Sequence, residues 1–438
     1  MTPSAQVSAV IELLLNIQNQ RHAPADATAN RFFRQRRYIG GGDRRYVSAQ
    51  IWEILRHYRK LQWWLKRVGS PINPRMMVST FLVLSGQSVK EVSKLFSGEK
   101  YAPLPLKQNE ELYLLSLEGK SFFSKEMPNA VKFEVPDWLY PLLEEQYADS
   151  IETELTALLE PAHLDLRVNT LKGDDRSTIK EKLKLEGIIS TEMQFSPWGL
   201  RVEGRQSITS TNLFKEGDIE IQDEGSQLIA LMTGATSQMR VLDFCAGAGG
   251  KTMAMAMMMQ NKGHIIASDV SEVRLGAAQR RLRRAGAFNV ETHQFVEGAK
   301  WIKRRIKSFD RVLVDAPCSG TGTWRRNPDA RLKFRQIDLA ELIAKQADIL
   351  RSAATMVKEG GRLIYATCSL LQQENQYQIE QFLENHPDFH LVPPDTAEGL
   401  LPKEFTQHPT FQLTPAQYKT DGFFCAVLER KVSKVELS

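Results

Sequence analysis

Apolar residues recur at steps of three and four along the first third of the chain, and Ile51, Ile54, Leu55, Tyr58, Leu61 and Leu65 would line one buried helix face. This spacing predicts a small helical bundle from Val7 to about Lys120, with Gly40-Gly41-Gly42-Asp43 as a loop that caps the helix after it. Pro136-Asp137-Trp138-Leu139 opens a further helix through about Leu159, with Pro136 in its first turn. Beyond Pro161 the period shortens to two. Leu164 to Leu171 alternates as a strand, a Lys/Glu-rich helix follows through about Leu185, and short strands run to Ile221. From Arg240 onward, apolar strands alternate with amphipathic helices. The strands are Val241 to Phe244, His264 to Ser268, Val290 to His293, Arg311 to Val314 and Arg362 to Ala366. The helix before the last of these carries Leu339, Ile343, Ala347, Leu350 and Ala354 on one side, with Gly360-Gly361 ending it. Gly422 to Leu428 reads as a late antiparallel strand. The pattern describes a multidomain chain: an all-α bundle (1–135), a linker helix with a small α+β module (136–235) and a doubly wound, Rossmann-like α/β domain (236–432).

Composition narrows this only a little. With 438 residues, 42% hydrophobic and 25% charged, the chain has enough apolar material for several cores. It contains no apolar run near the roughly 20 residues that span a bilayer. Its start lacks the basic-then-apolar order of a secretion signal. A cytoplasmic location, no membrane contact and a monomeric state are expected. The cysteines Cys245, Cys318, Cys368 and Cys425 are too widely spaced for a disulfide framework or a CxxC zinc site, so reduced thiols and no metal are expected. The net charge of +5 is modest, but the positive residues cluster. Arg31, Arg34, Arg36, Arg37, Arg44 and Arg45 form one group, and Arg280, Arg281, Arg283 and Arg284 a second. Lys300, Lys303, Arg304, Arg305 and Lys307 form a third, and Arg325, Arg326, Arg331, Lys333 and Arg335 a fourth. Any one of them alone reads as a solvated face. Four together point to nucleic acid.

The segment Val241-Leu242-Asp243-Phe244-Cys245-Ala246-Gly247-Ala248-Gly249-Gly250-Lys251-Thr252 is a strand, a glycine turn and a helix start. Glycines allow close backbone approach, and the free amides of a helix start attract a carboxylate or phosphate. Asp269, closing the next strand, is placed to accept hydrogen bonds from ribose hydroxyls. A P-loop would need glycine where Cys245 stands, and the dinucleotide pattern G-x-G-x-x-G is absent. S-adenosylmethionine fits best: its amino-acid end suits the glycine turn, its ribose suits Asp269, and its sulfonium would face Asp315.

Two cysteines follow strand-like runs, Cys318 in Asp315-Ala316-Pro317-Cys318-Ser319-Gly320-Thr321-Gly322 and Cys368 in Tyr365-Ala366-Thr367-Cys368-Ser369. A free cysteine is most often a buried structural thiol, which suits Cys245 and Cys425. It suits Cys318 and Cys368 less, because both lie on strand-to-loop transitions in polar, glycine-containing surroundings. Cysteine chemistry beside a nucleoside-like cofactor suggests methyl transfer to a pyrimidine, whose carbon 5 becomes nucleophilic once a thiolate adds to carbon 6.

These motifs resemble those of the Sun/Fmu-type RNA cytosine-5 methyltransferases, and in particular their bacterial small-subunit ribosomal RNA subgroup. The likeness runs from about Pro161 to Leu428. It includes Arg167-Val168-Asn169-Thr170-Leu171-Lys172, Gln222-Asp223-Glu224-Gly225-Ser226-Gln227, Cys245 through Lys251, the two cysteine motifs, Arg326-Asn327-Pro328-Asp329 and Asp421-Gly422-Phe423-Phe424. The N-terminal region, with Arg31-Phe32-Phe33-Arg34 and Leu61-Gln62-Trp63-Trp64-Leu65, is similar to the NusB-like RNA-binding domain of that subgroup. The resemblance implies Cys368 as the nucleophile, Cys318 as the group assisting product release, and Asp315 as a hydrogen-bond partner of the cytosine edge. It implies a cofactor site at Cys245, Ala246, Gly247, Ala248, Gly249, Gly250, Lys251, Asp269 and Asp315, with Arg167, Pro317 and Arg326 on the RNA. Ala248 replaces the family's usual proline, and Glu297 is the acid nearest the expected adenine contact. Ribosomal RNA is the expected substrate, with transfer RNA, or an idle RNA-binding assembly factor, as alternatives.

Overall fold

A computed structural model describes residues 1–20, 23–204, 206–295, 300–394 and 400–433. Their contacts group the chain into two compact units, Met1–Glu160 with Trp324–Gln336, and Pro161–Thr323 with Ile337–Ser438. Residues 136–160 therefore group with the helical unit and residues 161–235 with the sheet-bearing one, a different division from breaks at 135 and 235.

The first unit has helices and no strand among its described residues. Ile51, Ile54, Leu55, Leu61 and Leu65 all enter its core, but on two helices, Gly41–Arg56 and Tyr58–Arg67, separated by a turn at His57. The apolar phase survives this turn, which hides it from a periodicity reading. Gly41 and Gly42 belong to the first turn of their helix, and Gly40 is its N-cap. The helix expected from Pro136 is also two, Tyr140–Tyr147 and Ile151–Ala157, broken where Ala148 takes a φ of 43°. Pro136 lies ahead of them, its carbonyl accepting from the Tyr140 amide at 3.1 Å.

Trp324–Gln336 is built into this helical unit. Asp329 accepts from the Ala25 amide at 3.0 Å and from Lys333 at 2.8 Å, Arg56 donates to the Arg325 carbonyl at 2.9 Å, and Phe334 packs on Trp138. Arg325 and Arg331 are buried. Glu134, fully buried, accepts from the amides of Arg59 and Lys60 at 2.7 and 3.0 Å. Burial pushes its carboxyl up, and the charges of Arg331 and Lys60 oppose that. Arg325 and Arg331 of the fourth basic cluster are thus internal framework, a correction to their place in a basic surface, while Arg326 and Lys333 are half-buried and Arg335 is exposed.

In the second unit a small antiparallel sheet has the order β2-β3-β1-β4, from β1 (Leu164–Val168), β2 (Ser190–Glu192), β3 (Gly199–Val202) and β4 (Ile219–Ile221). The helix Arg176–Leu185 packs Ile179 and Leu183 on it.

The larger sheet is built from β5 (Arg240–Asp243), β6 (His264–Asp269), β7 (Val290–Gln294), β8 (Phe309–Asp315), β9 (Val357–Thr367), β10 (Phe389–Leu391), β11 (Thr410–Leu413) and β12 (Phe423–Arg430). Its order is β10-β12-β9-β8-β5-β6-β7, with β11 also on β12. β5 to β9 pair in parallel, and β12 runs antiparallel to β9. Alternate residues feed two cores. Val241, Ile265, Leu313 and Ile364 enter one, and Leu242, Ile266, Val312 and Leu363 the other. Both faces are covered, as a parallel sheet requires. The chain steps outward from β5 through β6 to β7, then crosses back to β8 and β9. The reversal between β5 and β8 leaves a crevice at their C-terminal ends.

The helix Gln336–Ala354 stops before Gly360-Gly361, which lie within β9. Gly360 takes a φ of 70° where the pairing with β8 shifts register, so this glycine pair makes a bulge and does not end the helix.

Replacing Arg331 by Met should destabilise the helical unit by about 3–5 kcal/mol, because it removes one counter-charge from buried Glu134. Denaturant unfolding checks this. A change within about 0.5 kcal/mol would instead mark Arg331 as a surface residue.

Candidate active site

β5 ends at Asp243, and the chain turns through Cys245, Ala246, Gly247, Ala248 and Gly249 into the helix Gly250–Met258. Gly247 and Gly249 take φ values of 54° and 79°, which a side chain would strain. A Cβ at Gly247 would meet nothing within 4 Å, so the turn faces open space, whereas one at Gly249 would stand 3.1 Å from Ala278. The turn is tied to the next strand: Ala246 N donates to Ser268 O, and Gly247 N to Asp269 Oδ2, both at 2.9 Å. The other Asp269 oxygen accepts from the Ser271 amide at 2.8 Å.

Asp243 is buried, with one oxygen accepting from Thr252 Oγ1 at 2.6 Å and the other without a partner. An open, positive-φ glycine turn, a helix start and acids closing β5 and β6 together fit a nucleoside bearing an amino acid. Cys245 lies in this turn and Cys425 is fully buried in β12; burial pushes both thiols up. Neither thiol is thereby suited to attack at neutral pH.

Arg167 is displaced from its expected role. It is buried, with NH1 donating to the Gly250 carbonyl at 2.7 Å and to Gln222 Oε1. Burial lowers its guanidinium to about 10. A side chain so enclosed supports the first turn of the helix after the glycine loop and is not presented to RNA. In the second basic cluster, Arg281 and Arg284 are likewise tied to Glu220 of β4, while Arg280 and Arg283 are exposed.

The cysteine motifs come together as the ends of adjacent strands. Asp315, closing β8, lies opposite Ala366 near the end of β9. Beyond them the Cys318 and Cys368 sulfurs are 3.4 Å apart, and both residues are half-buried. The hydrogen bond to Cys368, with burial, pushes the Cys318 thiol well above the usual range. Lys251, from the helix after the glycine turn, donates to Asp315 Oδ2 at 2.6 Å. Burial opposes the charge on Lys251, and Asp315 more than restores it.

Pro317 is held through its carbonyl, which accepts from Gln346 Nε2 at 3.0 Å. Arg326 groups with the helical unit, where it is half-buried. Glu297 lies outside the described residues. Sequence reasoning missed Glu374, a fully buried carboxylate hydrogen-bonded to Ser319 and Ser369, the residues that follow the two cysteines. The repeated Cys-Ser pair was the available signal. Among the described residues, no group of three or more His, Cys, Asp or Glu could hold a metal, and no helix is long and apolar enough to cross a membrane.

Burial pushes Asp243 up to about 7, opposed by the Thr252 hydroxyl and Lys251 and reinforced by Asp315 and Asp269. A carboxyl raised above its unfolded value of about 3.9 binds a proton on folding, so stability falls as pH rises from about 4 to about 7. Asp243→Asn should flatten that part of the pH–stability profile in urea unfolding. An unchanged slope would contradict the assignment.

A family model described as 16S rRNA methyltransferase RsmB/F matches residues 230–429, and one for an RsmF/B-like ferredoxin-like domain matches residues 135–209. The ribosomal RNA small subunit methyltransferase B of Vibrio cholerae is 33% identical over 306 residues, covering 69% of this chain and 67% of that protein. The protein of the same name from Pectobacterium atrosepticum is 27% identical over 413 residues, covering 90% and 92%. The crystal structure of PH0851 superposes with a TM-score of 0.76 at 27% identity, covering 98% of this chain and 99% of that one. The chain belongs to the 16S rRNA methyltransferase RsmB/F family and is an S-adenosylmethionine-dependent methyltransferase.

Proposed function

We propose that the protein methylates carbon 5 of a cytosine in small-subunit ribosomal RNA through a covalent adduct with Cys368. The observation that carries this reading is the pair of cysteine sulfurs 3.4 Å apart at the ends of β8 and β9. Two thiols in hydrogen-bond contact suit a division of labour in which one sulfur attacks and the other assists release. The names of the related proteins support ribosomal RNA as the substrate.

In this mechanism the Cys368 thiolate adds to carbon 6, and electron density moves to carbon 5. Asp315, held by Lys251, hydrogen-bonds the cytosine edge, and the Lys251 ammonium beside it offsets the negative charge that develops on the ring as the thiolate adds. S-adenosylmethionine, when bound, supplies an electrophilic methyl group from its sulfonium. Cys245 to Lys251 and Asp269 are the residues that would hold it. Carbon 5 then carries both the methyl group and its original proton. A base removes that proton, the electrons restore the C5–C6 double bond, and Cys368 leaves as thiolate with Cys318 assisting. The target base must be single-stranded or extruded for a thiolate to reach carbon 6.

The same reading takes residues 1–135 as a NusB-like RNA-binding domain, 136–235 as a module gripping RNA and 236–432 as the catalytic domain of a cytoplasmic monomer. Pro317 and Arg326 remain its RNA-contact candidates.

Incubation of small-subunit ribosomal RNA, free or in assembling particles, with methyl-labelled S-adenosylmethionine tests the reading. Label should enter 5-methylcytosine with the wild type and vanish with Cys368→Ala, while protein–RNA adducts accumulate with Cys318→Ala. Methylation surviving Cys368→Ala would overturn the choice of nucleophile, and label in another base would overturn the reaction.

A further inference from the structure

The ladder between β8 and β9 ends at Asp315 and Ala366, with one more bond from the Ala316 amide to the Ala366 carbonyl at 2.8 Å. Cys318 and Cys368 lie beyond it, in turns whose separation the sheet does not dictate. Downstream of Cys318 the turns are joined by the Gly322 amide, which donates to the Cys368 carbonyl at 3.0 Å, and by Thr321 Oγ1, which accepts from the Leu370 amide at 2.8 Å; a second tie lies beside the sulfurs themselves, which are 3.4 Å apart.

One carboxylate spans both turns. Glu374 Oε1 accepts from the Ser319 amide at 2.8 Å and from Gln346 Nε2 at 2.9 Å, and Oε2 accepts from the Ser319 and Ser369 hydroxyls. Ser319 directly follows Cys318, and Ser369 directly follows Cys368. The two hydroxyl oxygens are themselves 3.1 Å apart. Gln346 also donates to the Pro317 carbonyl, so the Cys318 turn is gripped on both sides of the cysteine. Glu374 has its own firm seat: Tyr365 OH donates to its carbonyl at 2.7 Å, and Asn375 Nδ2 donates to the Ser369 carbonyl at 2.9 Å. A carboxylate with four donors, buried away from water, gives a shorter and stiffer link than neutral side chains would.

We propose that Glu374 is a positioning residue that sets the separation of the Cys318 and Cys368 sulfurs. Its catalytic consequence rests on the reading of these cysteines as the releasing and attacking groups. Glu374 touches neither sulfur and none of Gly247, Asp269 or Lys251 in its hydrogen bonds, so its loss should spare methyl-donor binding.

Dibromobimane, which fluoresces after alkylating two neighbouring thiols, reports the sulfur separation without RNA; Cys318→Ser supplies the blank. Glu374→Ala should slow bridging and lower kcat about 10- to 100-fold, the scale of an ångström misplacement. Affinity for S-adenosylmethionine should stay unchanged, and Glu374→Gln should fall between Ala and wild type. Wild-type bridging and kcat in both variants would overturn the proposal. If Glu374→Ala loses S-adenosylmethionine binding, Ser369→Ala cuts the Cys368 side of the clamp, which reaches Glu374 through that hydroxyl, while Ser319→Ala leaves the Ser319 amide bond in place: slower bridging in Ser369→Ala supports the proposal, and unchanged bridging there overturns it. Slower bridging in a protein whose wild type makes no 5-methylcytosine would overturn the proposed reaction while leaving the clamp in place.

Discussion

From Arg311 onward β8 runs parallel to β9 in unbroken register, with Asp315 opposite Ala366, and the chemistry of the protein depends on that pairing. Two motifs 50 residues apart meet because their strands are neighbours and end at the same level. The order reversal beside β5 opens the crevice where the glycine turn and Lys251 arrive from the other side. A one-residue slip of β9 would reverse which of its residues face each core and carry Cys368 away from Cys318. Register is protected by the alternation of Leu363, Ile364, Tyr365 and Ala366 between two buried cores.

Charge is arranged around this frame with little exposure to water. Lys251 is matched to Asp315, and Glu374 to a set of neutral donors. Each group is thereby fixed before substrate arrives, and preorganised groups need no reorientation as charge develops on a ring. The close backbone approach of Gly322 and Gly422 adds a steric constraint. A Cβ on Gly322 would stand 2.2 Å from the Gly422 carbonyl oxygen, so the end of the Cys318 motif accepts only glycine there.

Much of this was legible in the chain. Buried parallel strands read as short apolar runs, and β5 to β9 fall where such runs occur. The glycine turn and the acids closing β5, β6 and β8 were readable because their residue types suit only a few backbone situations. Other features were hidden for physical reasons. A helix face keeps its phase through the turn at His57, so two helices read as one. Charge in a sequence does not reveal burial, which is why Arg331 read as part of a basic surface, and the family resemblance did not reveal that Arg167 is enclosed. Gly360-Gly361 resembled a helix stop because a bulge and a C-cap favour the same residue. The repeated Cys-Ser pair did not by itself single out Glu374, because its partners follow cysteines in different motifs and meet only in the folded sheet.

The most direct measurement uses ribosomal RNA carrying 5-fluorocytidine at its cytosines. Fluorine at carbon 5 cannot leave as a proton does, so a ring attacked at carbon 6 and methylated at carbon 5 stays bound to the attacking sulfur. Mass spectrometry of the digested adduct should find the methylated fluorocytosine on the peptide bearing Cys368, dependent on S-adenosylmethionine. An adduct on Cys318, or none while ordinary RNA from the same preparation gains 5-methylcytosine, would contradict attack by Cys368.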